Sequence, residues 1–303
     1  MKFIFFIPFI MFLVSCKSGT GEVSSDSKEG IIHIDSFPSQ LINPRGVDIW
    51  LPSDYDSTKK YVVIYMHDAQ MLFDGTKTWS GKEWNVDETM SDLSKNGKIK
   101  DAIVVAIEND GAGRPGEYFP EAILKDVSAE QQTKLLSEFL NGNAEADEYI
   151  MFIVHELKPY IDSTYSTLSD QSNTFIIGSS MGGLISLYAI CEYPQIFGGA
   201  ACISTHWPVW LDERHADYKL DQAFLKYLNE SIPSPDRHKI YFDHGTATLD
   251  SMYKPIQMRV DSIMVNHGYT GNNWMTREFP GEDHSEVSWS KRFHIPVEFL
   301  IGK

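Results

Sequence analysis

The chain has 303 residues, of which 42% are hydrophobic and 13% aromatic, so it is long and apolar enough to bury a large core. Its 42 acidic and 26 basic residues give a formal net charge of −16. A surface this acidic repels nucleic-acid phosphates, and no Lys- or Arg-rich run opposes it, so we expect no nucleic-acid partner.

The first thirty residues predict export and membrane anchoring. Lys2 precedes an apolar run, Phe3 to Val14, which is shorter than the ~20 residues of a membrane-spanning helix but typical of a secretory signal. The sequence LVSC that ends at Cys16 resembles the bacterial lipobox, in which the Cys becomes the lipidated first residue. An ordinary signal peptide with a nearby Cys is the alternative. We therefore predict a lipoprotein signal peptide over 1–15, a flexible Gly/Ser-rich tether over 16–30 and an exported lipoprotein of the cell envelope, on the periplasmic face or the outer-membrane surface.

From about Ile31 the chain alternates between strand-like and helix-like segments. The predicted strands cover residues 31–37, 45–51, 61–67, 102–108, 174–178, 199–204, 239–245 and 274–280. The predicted helices cover residues 128–160 with a break near NGNAEA, 184–193, 218–229, 253–267 and 287–301. Such alternation implies βαβ units and a mainly parallel sheet. Although ~150 residues per domain would allow two domains, we find no repeat and no second linker, and predict one α/β domain over 31–303.

A Ser/Gly cluster separates the strand at 174–178 from the helix that follows. Residues 178–182 read GSSMG and fit the pattern G-x-S-x-G, in which a nucleophilic Ser stands on a sharp strand-to-helix turn between small residues. The pattern assigns Ser180 as the nucleophile, and the N–H of Met181, at the start of the helix, as a donor to a developing oxyanion. Ser179 is the rival nucleophile, but it occupies the x position. The alternative is a tight packing turn without chemistry.

A catalytic Ser needs a base and an orienting carboxylate, which follow this motif in the order acid, then His. His284 lies in a short polar loop, GEDHSEVSW, directly after a predicted strand and before the last helix, so it is the predicted base. Asp250 and Asp243 compete for the acid. We favour Asp250, because it lies in a loop that can reach His284, whereas Asp243 belongs to the strand; Asp250 could also cap the next helix.

No cofactor or metal site is predicted. Cys191 and Cys202 lie in apolar surroundings, and neither a CxxC pair nor a Cys/His cluster with metal-ligand spacing occurs. We therefore expect two structural thiols, no metal ion and no cofactor.

Several segments together resemble a known family. They are YMHDAQMLFD (65–74), WSGKEWNVDE (79–88), EYFPE (117–121), GSSMGGLISLYA (178–189), FDHGTATLD (242–250) and GEDHSEVSW (281–289). In this order they resemble the esterase branch of the α/β-hydrolases, which includes enterochelin esterases, feruloyl and acetyl-xylan esterases, esterase D and the mycolyltransferases. The resemblance covers most of 31–303 and implies a single-domain α/β-hydrolase fold, with a mainly parallel sheet flanked by helices.

The resemblance also implies roles for individual residues. It gives Ser180 as nucleophile, His284 as base and an acid in the loop that holds Asp250. Its oxyanion donors are the N–H of Met181 and the N–H of Gln70, in the loop after the strand at 61–67. This chain has Ala69 where family members often have Gly, and Ala fits only if its φ stays negative.

Aromatic and basic residues near these motifs are candidate substrate contacts. Trp84 and Trp207, with Trp79 and Trp289, lie in or beside predicted loops, where aromatic walls would suit a sugar face or a feruloyl ring. Burial in the core is the alternative, and for Trp289 we expect packing on the loop of His284. Arg114, in GAGRPGEYFP, is a candidate contact for a polar or acidic group, or a solvated Arg.

Three hypotheses for function remain. The first is a cell-envelope serine esterase that removes feruloyl or acetyl groups from polysaccharide or oligosaccharide. The second is an esterase for a siderophore trilactone such as enterobactin. The third is a catalytically silent binding lipoprotein on the same scaffold, against which the complete Ser-Asp-His set argues. Because a ferric catecholate complex is anionic and basic residues near the motifs are sparse, we favour the sugar ester. The expected partners are thus a small-molecule or oligosaccharide ester, and the membrane through a lipid on Cys16.

Overall fold

A computed structural model describes residues 30–78, 80–207 and 220–303 of the chain. The predicted signal peptide, most of the tether, the lipidated Cys16 and Trp79 lie outside these residues. The predictions for those segments therefore stay predictions.

Eight strands of the described residues form a single sheet. They are β1 (Ile31–Phe37), β2 (Arg45–Trp50), β3 (Val62–His67), β4 (Ala102–Ile107), β5 (Thr174–Ser179), β6 (Gly199–Ile203), β7 (Lys239–Gly245) and β8 (Trp274–Phe279). Their order is β1-β2-β4-β3-β5-β6-β7-β8. β2 is antiparallel to both of its neighbours, and the strands from β4 to β8 in this order run parallel. β3, β4, β5 and β6 are fully buried, as expected for parallel strands covered on both faces.

Helices cover both faces of this sheet. They are α1 (Val86–Lys95), α2 (Arg114–Tyr118), α3 (Ala129–Glu138), α4 (Ala146–Phe152), α5 (Lys158–Thr164), α6 (Met181–Glu192), α7 (Leu220–Ser231), α8 (Lys254–Asn266), α9 (Glu286–Arg292) and α10 (His294–Ile301). Buried residues of α2 to α8 form one hydrophobic core, and those of α1, α9 and α10 form the other. The predicted α/β-hydrolase architecture, with a mainly parallel sheet between helical layers, is confirmed.

Two proline residues explain where the helices depart from regular geometry. α4 and α5 are joined by a π-helical turn, Ile153–Leu157, which ends two residues before Pro159; this proline has no N–H to continue the α-helical bonds. The predicted last helix is divided into α9 and α10, because Pro296 cannot bond the carbonyl of Arg292, where α9 ends.

The cysteines are placed as predicted. Cys191 and Cys202 are free and buried, and burial raises the pKa of both thiols. In the described part of the chain, no group of three or more His, Cys, Asp or Glu side chains could hold a metal ion. None of the described helices combines the length and the apolar character that crossing a membrane requires.

Candidate active site

The Ser/Gly cluster forms a sharp turn between β5 and α6. Ser180 has φ +55° and ψ −123°, a conformation that costs a non-Gly residue energy and is typical of functional sites. Gly178 is needed for close approach, because a Cβ there would lie 2.5 Å from the carbonyl carbon and oxygen of Gly182. The backbone N–H of Ser180 donates to the carbonyl of Ile203, the last residue of β6, at 2.9 Å. The two glycines of the motif thus let the turn close tightly beneath Ser180.

The two serines of the turn differ in their environment. Ser179 ends β5, is 5% exposed and pairs with Ile203 of β6. Ser180 is half-buried and starts the turn, and both serines line the same cleft as His284. Since Ser179 belongs to the sheet and Ser180 caps the helix, Ser180 is the better placed of the two for chemistry at the cleft.

Asp250 and His284 are in direct contact. Oδ1 of Asp250 lies 2.5 Å from Nδ1 of His284. Oδ2 of the same carboxylate accepts from the hydroxyl of Ser204 at 2.5 Å and from the N–H of Gly245 at 2.6 Å. Burial raises the pKa of Asp250, but the hydrogen bonds from His284, Ser204 and Gly245 outweigh burial and leave the pKa below its ordinary value. The carboxylate is therefore ionised and held in one orientation, with one oxygen directed at the imidazole.

Asp243, the alternative acid, has other partners. It is fully buried, and its carboxylate bonds the guanidinium of Arg292 at 3.1 and 3.2 Å. The hydroxyl of Tyr241 also donates to it, at 2.9 Å. The carboxylate is thus engaged within the core, and the structure brings Asp250 rather than Asp243 to His284.

Ser204, which the sequence analysis did not select, connects these groups. Its hydroxyl donates to Asp250 and accepts from the indole N–H of Trp289 at 3.0 Å and from Arg292 at 2.7 Å. It is fully buried and has φ +42°. Ser204 directly follows β6, and the carboxyl ends of parallel strands are where such sheets place their functional residues, so its position was the available signal.

Aromatic rings hold His284 from two sides. Its ring meets Trp289 edge-on at 5.0 Å and Tyr253 edge-on at 5.8 Å between centroids. Packing of Trp289 on the loop of His284 was predicted. His206, another residue that the sequence analysis did not select, donates its backbone N–H to the carbonyl of Ser180 at 3.0 Å and places Nδ1 2.9 Å from the hydroxyl of Tyr253. Burial lowers the pKa of His206 to about 4, so its ring is neutral at pH 7.

The two predicted oxyanion donors stand at the starts of helical turns. Met181 is the first residue of α6, and Gln70 lies in a short 3₁₀ turn, Ala69–Met71. Among the backbone bonds outside regular elements in the described residues, neither N–H has an acceptor, so both can bind an external oxygen. Ala69 is not among the residues with positive φ; the left-handed residue is Asp68, at φ +61°. The Ala that replaces Gly here is therefore accommodated without strain.

A cleft of about 680 Å³ contains these groups. It is lined by Asp68, Gln70, Met71, Ser80, Lys82, Trp84, Asn109, Arg114, Ser179, Ser180, His284, Ser285, Glu286 and Trp289. Trp84 is 3% exposed and packs against Trp289 at 5.4 Å, so it contributes to the cleft wall through a small part of its indole.

Two predicted substrate contacts are placed differently from expectation. Trp207 is 1% exposed and packs on Phe224 and Phe242 at 5.7 and 5.8 Å, so the structure places it in the core and the prediction of a substrate contact is wrong in this conformation. Arg114 lines the cleft, but its guanidinium is bound to Asp68, Nε to Oδ1 and Nη2 to Oδ2, both at 2.7 Å. Two of its donor groups are therefore engaged within the protein.

The chain is similar to esterases in sequence and in fold. Residues 39–294 match the sequence model of a family described as "Putative esterase". A Bacillus subtilis (strain 168) protein, "Uncharacterized protein YbbA", is 23% identical over 267 residues, which cover 86% of this chain and 93% of that protein.

Solved structures with the same fold include two esterases. A ferulic acid esterase superposes with a TM-score of 0.63 at 17% identity, over 89% of this chain and 97% of its own. The enterobactin esterase FES from Shigella flexneri superposes with a TM-score of 0.64 at 14% identity, over 90% of this chain and 60% of its own. At these identities the likeness is one of fold.

Proposed function

The chain belongs to this esterase family and is a carboxylic-ester hydrolase, and on that premise we propose that it works through a triad of Ser180, His284 and Asp250. The contact of Asp250 with His284 at 2.5 Å, in a cleft that Ser180 also lines, is the observation that carries the proposal. A carboxylate on Nδ1 fixes the imidazole tautomer that leaves Nε2 free to accept a proton.

The reaction then follows from the positions of these groups. Ser180 Oγ attacks the ester carbonyl carbon while Nε2 of His284 takes its proton, and the carbonyl π electrons move onto oxygen. The N–H groups of Met181 and Gln70 stabilise that oxyanion. Collapse breaks the bond to the alcohol, which leaves with the proton from His284, and an acyl-Ser180 remains. Water, deprotonated by His284, attacks the acyl carbon, and the acid departs as Ser180 regains its proton.

For the substrate, we propose an acyl ester, feruloyl or acetyl, on polysaccharide or oligosaccharide. The cleft combines an apolar wall of Met71, Trp84 and Trp289 with polar groups, a composition that suits an aromatic or sugar ring. Its lining carries two acidic side chains, Asp68 and Glu286, and two basic ones in the described residues. That balance gives little attraction for a triply anionic ferric catecholate.

The siderophore trilactone remains the second candidate. The fold is shared with the enterobactin esterase FES at a TM-score of 0.64, as it is with a ferulic acid esterase at 0.63, so the fold does not separate the two substrates. Turnover of the purified enzyme on acetylated xylan, feruloylated oligosaccharide and enterobactin compares them directly. Release of acetate or ferulate without cleavage of enterobactin supports the sugar ester, and the reverse result contradicts it.

The nucleophile is tested by a pair of neighbouring variants. Ser180→Ala removes the attacking oxygen, so it should abolish hydrolysis of a simple aryl ester while the circular dichroism spectrum stays unchanged. Ser179→Ala is the matched control and should have a mild effect. Near-normal turnover by Ser180→Ala would mean that the mechanism is wrong. Loss of activity in neither protein would favour an unrelated site.

We also propose that the protein is a lipoprotein of the cell envelope, anchored by acyl chains on Cys16. The proposal rests on the signal-like run that ends in LVSC at Cys16. Cys16→Ala should release the protein from the membrane fraction, because lipid on that residue is the anchor that the sequence offers. A mutant that still sediments with membranes would show that another feature anchors the protein.

A further inference from the structure

The loop that carries the second oxyanion donor contains an unfavourable backbone conformation. Asp68, between β3 and the 3₁₀ turn Ala69–Met71, has φ +61° and ψ +47°, in the left-handed region. For a residue with a Cβ this conformation costs roughly 1 kcal/mol or more, so surrounding contacts have to maintain it. The orientation of the 3₁₀ turn, and with it the N–H of Gln70, depends on this residue.

Three charged or amide donors hold the side chain of Asp68. Arg114 binds it with two parallel bonds of 2.7 Å, and Asn109 Nδ2 donates to Oδ1 at 2.7 Å. A bidentate pair of this kind fixes orientation as well as distance. Burial raises the pKa of Asp68, but the Arg114 guanidinium and the hydrogen bonds outweigh burial, so its pKa lies below the ordinary value and the pair is ionised at pH 7.

The same loop is tied at its other end. Gln70 Nε2 donates to the carbonyl of Asn109 at 3.1 Å, and the N–H of Asn109 donates to Gln70 Oε1 at 3.2 Å. Asn109 therefore contacts both Asp68 and Gln70. Since Asn109 lies just after β4, these bonds fasten the loop after β3 to the loop after the neighbouring strand.

Arg114 itself is held by the core. Its guanidinium lies 4.8 Å from the ring centre of Tyr118, on the same short helix α2. Glu117, also on α2, forms a buried bidentate pair with Arg45 of β2 at 2.6 and 2.7 Å. The position of Arg114 is thus fixed relative to the sheet before any substrate binds.

From this arrangement we infer that Arg114 and Asp68 are positioning residues of the oxyanion site: their ion pair keeps Asp68 left-handed and thereby orients the N–H of Gln70. The inference rests on the proposed function and revises the expectation that Arg114 contacts substrate. An oxyanion donor acts on the transition state, so loss of the pair should lower kcat and leave KM nearly unchanged. A substrate contact would do the opposite.

The test compares an aryl ester with the matching thionoester, in which sulfur replaces the carbonyl oxygen. Sulfur is a larger and weaker hydrogen-bond acceptor, so the thionoester gains less from the oxyanion donors. Arg114→Gln should lower kcat for the ester ~10- to 100-fold, less than the ~10²–10³ of removing a donor outright, and should lower kcat for the thionoester much less. Arg114→Lys keeps the positive charge but lacks the planar group that forms two parallel hydrogen bonds, so it should recover part of the loss.

A matched control and a second variant keep the result interpretable. Arg259→Gln breaks an exposed Arg–Asp pair with Asp221, between α7 and α8, and should change neither substrate's kinetics. Asp68→Ala loses the ion pair and also replaces Asp with a residue that adopts the left-handed conformation less readily, so it should reproduce the ester-selective loss if Arg114→Gln does not fold.

Three outcomes overturn the inference. A higher KM with unchanged kcat in Arg114→Gln would make Arg114 a substrate contact. Equal losses on ester and thionoester in folded Arg114→Gln and Asp68→Ala would point to general disturbance of the site. Wild-type protein that hydrolyses no ester would refute the proposed function itself, a result that is visible before any variant is made.

Discussion

Replacement of Asp250 by Asn should inactivate the enzyme through the tautomer of His284. Oδ2 of Asp250 receives two donors, the hydroxyl of Ser204 at 2.5 Å and the N–H of Gly245 at 2.6 Å. The hydroxyl of Ser204 already accepts hydrogen bonds from the indole of Trp289 and the guanidinium of Arg292, so its own hydrogen is directed at the carboxylate. An amide NH₂ at the position of Oδ2 would face donors on both sides.

The side-chain amide introduced by Asp250→Asn would therefore turn its oxygen to these donors and its NH₂ to His284. Nδ1 of His284 would have to accept that hydrogen bond, which moves the ring proton to Nε2, where the proton of Ser180 has to be received. Loss of the correct tautomer costs about 10⁴ in kcat in serine hydrolases, or roughly 5 kcal/mol in activation free energy. We expect a decrease of that size for Asp250→Asn.

The assay is aryl-ester turnover by proteins of matched fold, with Asp243→Asn as the control. Asp243 is fully buried and paired with Arg292, so its neutral isostere should lower the free energy of unfolding by about 3 kcal/mol and change kcat less than roughly tenfold. If Asp250→Asn retained more than a tenth of wild-type kcat, or if Asp243→Asn lost more activity than Asp250→Asn, the assignment of the acid would be wrong.

Three further changes have defined outcomes. Gly178→Ala places a Cβ about 2.5 Å from the backbone of Gly182, so we expect insoluble or unfolded protein. Yield and circular dichroism measure this, and a well-folded variant would contradict the close approach of residues 178 and 182. Ser204→Ala leaves two buried N–H donors without an acceptor, so urea unfolding should show a loss of ~1–3 kcal/mol, and unchanged stability would argue against the network. Burial lowers the pKa of His33. Asp48, whose Oδ1 lies 2.5 Å from Nδ1 of His33, and other nearby carboxylates outweigh burial and raise the pKa of His33 above its ordinary value of 6.5. The ion pair of His33 then stabilises the fold fully below pH ~6.5, and this contribution is lost as the pH rises through the pKa of His33 in the folded state. His33→Asn should therefore lower the melting temperature more at pH ~5.5 than at pH ~9. A larger effect at pH ~9 would refute the pairing.

The sequence predicted the parts of the site that depend on local pattern. The motif around Ser180 is recognisable because a continuous apolar strand, small residues and a helix follow one another directly. The polar loop with His284 stands out because it lies between the last strand and the last helix. The choice of Asp250 over Asp243 followed from the same reasoning about strand and loop, and the structure places Asp250 in contact with His284.

The remaining parts depend on contacts between distant segments. Ser204 meets Trp289 and Arg292, which are 85 and 88 positions away, and no local pattern reports such a pairing. Trp207 looked like a loop residue because it follows a strand, but the chain turns it into the core against Phe242. α1 was missed because its apolar positions are few in a short, largely polar segment, Val86–Lys95.

The most direct test of the central claim is covalent labelling of the nucleophile. A fluorophosphonate reacts with an activated Ser and loses fluoride, and tandem mass spectrometry of the digested protein locates the phosphonate on a single residue. We predict that it is on Ser180, that labelling and loss of aryl-ester turnover proceed together, and that His284→Ala abolishes both. A phosphonate on Ser179 or elsewhere, or an enzyme that stays active and unlabelled, would contradict the account.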